Sequence, residues 1–133
     1  MDRIADDGTA RATRGLPQEK LQNVLVYIDQ SFGESLKVRQ LAQRVGLSQF
    51  HFARMFRRSV GRPPHEYLTD LRMERAKRLL RETTLPLAQV ATRVGYQTQA
   101  HFTGVFHREV GVTPKSYRVV AAGTASPAEG ATF

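Results

Sequence analysis

Gln49, Phe50, Ala53, Arg54, Arg57 and Arg58 lie close together, directly after Ser48. At helical spacing Phe50, Ala53, Arg54 and Arg57 share one face, with Ser48 and Gln49 at its start. These side chains suit recognition of an anionic, hydrogen-bonding surface rather than bond making or breaking. A guanidinium can fork onto guanine, a carboxamide can pair with adenine, and an apolar group can meet a thymine methyl. Arg57 and Arg58 suit phosphate contact or solvation better than base reading. The competing reading of Phe50 is packing against a neighbouring helix, since lone exposed apolar side chains are common.

The chain writes this phrase twice. "HFARMFRRSVGRPPHEY" runs from His51 to Tyr67, and "HFTGVFHREVGVTPKSY" from His101 to Tyr117, with eight of seventeen positions identical. The positions corresponding to Phe50, Ala53, Arg54 and Arg57 are Ala100, Thr103, Gly104 and His107, preceded by Gln97, Thr98 and Gln99. The first face carries long side chains that can reach base edges, and the second carries mostly small ones. From the second helix the expected contributions are phosphate contacts, Gln97 or Gln99 at its start, and methyl contacts from Ala100 and Thr103.

Other chemistries find little support. There is no cysteine, so disulfides, thiolate zinc sites and cysteine nucleophiles are all excluded. His51, His65, His101 and His107 include no i, i+4 pair, and His101 and His107, six apart, point to different helix faces. His51 and His101 read instead as structural positions near a core Phe. No nucleophile, base and orienting group cluster together, and no Gly-rich phosphate loop appears. The expectation is a protein that is not an enzyme and takes no cofactor.

The elements that must position these residues are helices. From Pro17, the residues Leu21, Val24, Leu25 and Ile28 recur at helical spacing, with Gly33 as the stop. Val38, Leu41, Ala42 and Val45 define a short helix ending at Gly46. Ser48 can cap the next, with Phe52, Met55, Phe56 and Val60 as its buried stripe and Gly61 as its end. After "RPP" a long helix is predicted from Pro64 to Glu82, with Leu68, Leu71, Ala76, Leu79 and Leu80 inward and Arg75, Lys77, Arg78 and Arg81 on its other sides. The phrase restarts after Pro86. Leu87, Val90, Ala91 and Val94 precede Gly95, and Thr98 can cap a helix with Phe102, Val105, Phe106 and Val110 as its stripe. "TPKSYR" starts one last turn. Each copy is short helix, Gly-containing turn, longer helix, the pattern of a helix-turn-helix. "LAQRVG" (Leu41–Gly46) matches "VATRVG" (Val90–Gly95), and the second turn holds one extra residue.

The expected fold is all-α, with two helix-turn-helix subdomains joined by a long linker helix. Its parts are a flexible arm (1–16), a first subdomain (17–63), the linker helix (64–83), a second subdomain (84–118) and a disordered tail (119–133). Two copies are too few for a solenoid, which needs about three units or more.

Charge is distributed unevenly over these parts. Residues 1–36 hold four basic and six acidic side chains, whereas 37–118 hold sixteen basic and five acidic, a net of +11. A basic folded segment favours a polyanion as partner, the competing reading being a merely solvated surface. Arginine accounts for sixteen of the twenty basic residues, which suits bidentate contacts but also arises from GC-rich coding. No segment approaches the roughly 20 apolar residues of a membrane span, nor is there a signal-peptide run. A soluble, cytoplasmic and nucleoid-associated protein with no membrane partner is expected.

From Val38 to Arg118 the chain resembles the DNA-binding region of the AraC/XylS transcriptional regulators. "VATRVGYQTQAHFTGVFHREVGVTPKSYR" is similar to that family's second-motif signature, "LAQRVGLSQFHFARMFRRSVGRPP" to its first motif, and "YLTDLRMERAKRLL" to its connecting helix. The resemblance implies that a monomer places two recognition helices in successive major grooves of double-stranded DNA, about one turn (~34 Å) apart. It further implies a bent, asymmetric site, contact with RNA polymerase and activation of transcription. The length leaves no evident room for a small-molecule effector domain, as in the family's small stand-alone activators. The chain departs from the family pattern at Lys37, where a Ser or Thr cap is common, and at Gly104 and His107, where basic residues are common. The absence of cysteine excludes the DNA-repair methyl acceptors that carry a similar module. The alternatives from other classes are an interaction protein that titrates RNA polymerase or another regulator, and a nonspecific nucleoid-binding protein.

Overall fold

The computed structural model describes residues 15–34 and 36–125. Among them are seven helices and no strand: α1 (Gln18–Ser31), α2 (Val38–Arg44), α3 (Gln49–Val60), α4 (Pro64–Glu82), α5 (Leu87–Arg93), α6 (Gln99–Val110) and α7 (Pro114–Ala125). They form two compact units, residues 15–31 with 36–69 and residues 32–34 with 70–125. The linker helix α4 is therefore not a separate segment. Its first turns belong to the first unit and the stretch from Asp70 belongs to the second.

The turn between α2 and α3 closes by a rule that the second unit repeats. In the first unit the Leu47 amide donates to the Ala42 carbonyl (3.0 Å) and the Gly46 amide to Gln43 (3.1 Å). In the second, the Tyr96 amide donates to Ala91 (2.9 Å) and the Gly95 amide to Thr92 (3.1 Å). This paired 6→1 and 5→2 closure is the Schellman motif. Gln97, the extra residue of the second copy, comes after the closure is complete. At Gly95 two constraints coincide: φ is +102°, and an added Cβ would come within 2.5 Å of the Phe32 carbonyl oxygen and 2.7 Å of Arg72 Nε. Only glycine satisfies both.

Helices α3 and α6 begin and end alike. Ser48 Oγ accepts from the His51 amide (3.1 Å) and Thr98 Oγ1 from the His101 amide (3.0 Å). Gly61 and Gly111 close them in the left-handed conformation, and Pro64 and Pro114, both fully buried, open the helices that follow. Lys37 has no side-chain acceptor to cap α2. Its own amide instead donates to Gln40 Oε1 (2.8 Å), half of a capping box, which offsets the missing Ser or Thr.

Each unit has an aromatic centre on the repeated residues. In the first, Phe56 meets Phe52 at 5.6 Å between ring centroids and Tyr67 at 5.5 Å. In the second, Phe106 meets Phe102 at 5.7 Å and Tyr117 at 5.6 Å. All four Phe rings are fully buried. Around Phe102 and Phe106 pack Met73, Ala76, Leu80, Val90, Ala91, Val94, Tyr96 and Val105. Of the inward set expected on α4, Leu68, Ala76 and Leu80 are buried and Leu71 and Leu79 only partly so, while Met73, not in that set, is buried at 4% exposure.

Both ends of the described chain differ from expectation. Gly15 and Leu16 are buried, and the Leu16 amide donates to Ser59 Oγ (2.7 Å), so the expected arm is shortened; its residues 1–14 lie outside the described residues. The single last turn is a twelve-residue helix, α7, that continues to Ala125. Ala121, Ala122 and Ala125 favour helix, so the expected tail is helical over 119–125; residues 126–133 lie outside the described residues.

Ser48→Ala and Thr98→Ala should each lower stability by about 1 kcal/mol through loss of the cap. Urea melts of the two variants check this, and midpoints equal to the wild type would show that the caps contribute nothing.

Candidate nucleic-acid interface

With Phe52, Met55 and Phe56 committed to the core, α3 must turn its other sides outward. Ser48, Gln49, Phe50, Arg54, Arg57 and Arg58 are exposed and Ala53 is partly so. Phe50 stands 74% exposed, which excludes packing against a neighbouring helix among the described residues. The Arg54 guanidinium lies over its ring, 5.6 Å from the centroid, one helical turn away. The same logic applies to α6, where Phe102, Val105 and Phe106 point inward. Gln97, Thr98, Gln99, Ala100, Gly104 and His107 are exposed and Thr103 is partly so.

The two faces differ in reach. A Cβ built on Gly104 meets nothing within 4 Å, so no neighbour within the fold requires a glycine there. His51 and His101 are exposed rather than built into the core. Their amides serve the helix caps, and the His101 ring stands edge-on to Tyr96 at 5.1 Å. Among the described residues no three His, Asp or Glu form a group that could hold a metal ion.

The structure also sorts the positive charge, which the sequence presents only as a sum. Arg72 is half buried and donates from Nε to the Phe32 carbonyl and from Nη2 to the Glu34 carbonyl, both at 3.1 Å, with its guanidinium 5.3 Å from the Tyr96 ring. Burial pushes the Arg72 guanidinium below its ordinary value and the Tyr96 phenol above its own, each partly countered by the other group. Arg118 donates from Nε to the Leu80 carbonyl (3.2 Å) in the last turn of α4 and from Nη1 to the Leu85 carbonyl (2.8 Å) in the connection to α5. Arg44 bonds Asn23 Oδ1 at 2.7 Å and lies over Tyr27, while Lys77 pairs with Glu74 and Arg108 with Glu109. These cations serve the fold or are locally neutralised. No spacing in the sequence sets Arg72 or Arg118 apart from Arg54, because carbonyl acceptors leave no side-chain pattern.

Comparison with known proteins bears on the identity of this scaffold. A family model described as a helix-turn-helix domain matches residues 41–119. The regulatory protein SoxS of Salmonella typhimurium is 33% identical over 101 residues, covering 76% of this chain and 94% of SoxS. The chain belongs to the AraC/XylS family of transcriptional regulators. A putative AraC-like transcription regulator of Streptomyces antibioticus is 33% identical over 114 residues, covering 86% of this chain and 38% of that protein. The DNA-binding domain of AdpA, a global transcriptional factor whose structure is solved in complex with a target DNA, aligns with a TM-score of 0.73. It is 31% identical, over 81% of this chain and 96% of that one. This chain spans 35 to 50% of the length of the first four curated relatives it matches. No described helix is long and apolar enough to cross a membrane.

Gly104, an exposed position in the interior of α6, carries a helix-propensity cost of about 1 kcal/mol relative to alanine. Gly104→Ala should therefore raise stability by about that amount, read as an increased midpoint in a urea melt. A lower midpoint would reveal a constraint on the backbone at Gly104. Binding to DNA should weaken steeply with salt, log K against log[salt] having a slope of magnitude about 4–8. A nearly flat response would show that the exposed arginines and helix N-termini do not engage phosphates.

Proposed function

We propose that the chain regulates transcription by binding one specific DNA site as a monomer, with α3 and α6 as its two recognition helices in successive major grooves. The observation that carries this reading is the duplicated scaffold. Two units built on the same capped, aromatic-centred helix-turn-helix each leave one helix face exposed. Relatives supply the context: the AdpA domain is solved on a target DNA, and SoxS is a regulatory protein matched over 94% of its length. In this proposal Arg54 is the strongest direct reader and Arg57 and Arg58 hold phosphates. Ser48 and Gln49 lie at the N-terminus of α3, the part of a recognition helix that approaches base edges. Activation through contact with RNA polymerase and action on the nucleoid in the cytoplasm complete the proposal.

The two units are unequal readers in this account. The α6 face offers Gln97, Thr98 and Gln99 at its start, methyl groups of Ala100 and Thr103, and the imidazole of His107. Such a face suits phosphate contact and sensitivity to DNA bendability better than base discrimination. The α3 face carries most of the direct readout.

Selection of bound duplexes from a random pool, followed by mass measurement of the complex, tests the proposal. One protein should bind one duplex of about 20 base pairs, since two readers one turn apart need that span plus flanks. The selected site should show sharp base preference in one half and shallow preference in the other. Arg54→Ala should cost about 1–3 kcal/mol on that site and relax preference at one or two positions. Two proteins per minimal site would overturn the monomer. Failure to discriminate the selected duplex from random DNA at physiological salt would favour a nonspecific nucleoid protein or a titrating interaction partner.

A further inference from the structure

Phe50 and Arg54 lie one helical turn apart on α3. Phe50 is the second residue of α3 and Arg54 the sixth, so both lie in the N-terminal half of the helix, the part that approaches base edges in helix-turn-helix proteins. A ring 74% exposed to water has no role in the core of its unit. Among the described residues no carbonyl or carboxylate takes up the N–H donors of Arg54, whose guanidinium is held over that ring at 5.6 Å. The pair therefore presents an apolar surface and a donor fork side by side.

Resting on the DNA-reading role above, we propose that this pair recognises a pyrimidine 5-methyl group followed on the same strand by guanine: the step 5′-TpG-3′, or equally a 5-methylcytosine–guanine step. In the major groove a thymine shows a C5 methyl, and guanine shows two acceptors, O6 and N7, that match a bidentate guanidinium. Successive bases on one strand are separated by about 3.4 Å along the axis, a distance within reach of a side-chain pair whose guanidinium lies 5.6 Å from the ring centroid. The Phe50 ring covers the methyl while Arg54 forks onto the neighbouring guanine, and the ring limits the orientations the guanidinium must give up on binding. A pyrimidine–purine step also deforms easily, which helps a bulky aromatic enter the groove. In α6 the matching positions are Ala100 and Gly104, so this methyl-dependent reading belongs to α3 alone.

The test uses the full chain and the duplex selected from a random pool. Each thymine is replaced singly by deoxyuridine, which removes only the methyl group. For the wild type, one replacement, at a thymine preceding a guanine, should weaken binding about fourfold, the effect of one buried methyl group. Replacing that thymine–adenine pair by a 5-methylcytosine–guanine pair should preserve binding, and unmethylated cytosine there should not. Phe50→Ala should abolish the thymine–deoxyuridine difference while keeping the guanine preference. Arg54→Ala, which removes the donor fork, should lose the guanine preference. Because Phe50 is exposed, circular dichroism of Phe50→Ala should match the wild type. A selected site insensitive to deoxyuridine at every thymine overturns the composite reader and leaves sequence-specific binding standing. Failure of any sequence to emerge from selection overturns both.

Discussion

The packing of a buried Phe against a second Phe and a Tyr from the next helix sets the geometry of each unit. Phe56 and Phe106 occupy the same place in their units, with neighbours at nearly the same distances and the Tyr ring tilted by 73° in both. Edge-on aromatic pairs at this separation add about 0.5–1.5 kcal/mol beyond their buried area. More important here, they fix rotation. With Phe52 and Phe56 turned inward, α3 has no choice but to present Phe50, Ala53, Arg54 and Arg57 outward, and α6 presents its counterparts by the same necessity.

This explains which positions the two copies share. The identical Phe, Gly, Pro and Tyr residues are those that pack, cap or start helices, and the Schellman closures recur around Gly46 and Gly95. Divergence is concentrated on the exposed faces, although the buried pair Met55 and Val105 also differs and the exposed His51/His101 and Arg58/Arg108 pairs are identical. One chain thus holds two scaffolds of the same construction with different chemistry on their outward helices. The half-buried arginines belong to the scaffold. Arg72 and Arg118 satisfy backbone carbonyls at the connection after α1, in the last turn of α4 and in the connection from α4 to α5.

Most of the scaffold was legible in the sequence because its signals are local. Ser48 and Thr98 precede apolar stripes at helical spacing, Gly61 and Gly111 follow them, and Pro64 sits where a first helical turn accepts it. Met73 was missed because Leu71 and Leu79 compete for the same stripe, and only three-dimensional packing decides among them. The length of α7 was missed because a stretch of small residues reads as loop, although alanine favours helix. The commitment of Arg72 and Arg118 was illegible because their partners are carbonyl oxygens 33 to 40 residues away, which no side-chain pattern marks. The exposed set on α3 could be placed by periodicity, whereas the stacking of Arg54 on Phe50 required coordinates.

The central claim is that the repeated residues specify the scaffold and the exposed, divergent ones specify what each helix reads. Grafting the α3 face onto α6 through Ala100→Phe, Thr103→Ala, Gly104→Arg and His107→Arg tests it directly. Ala100, Gly104 and His107 are exposed and Thr103 partly so, and Gly104 has open space for a side chain. The account predicts a single cooperative unfolding transition near that of the parent chain, together with a selected DNA site whose second half has acquired the base preference of the first. Loss of cooperative folding, or a selected site identical to the parent's, would contradict it.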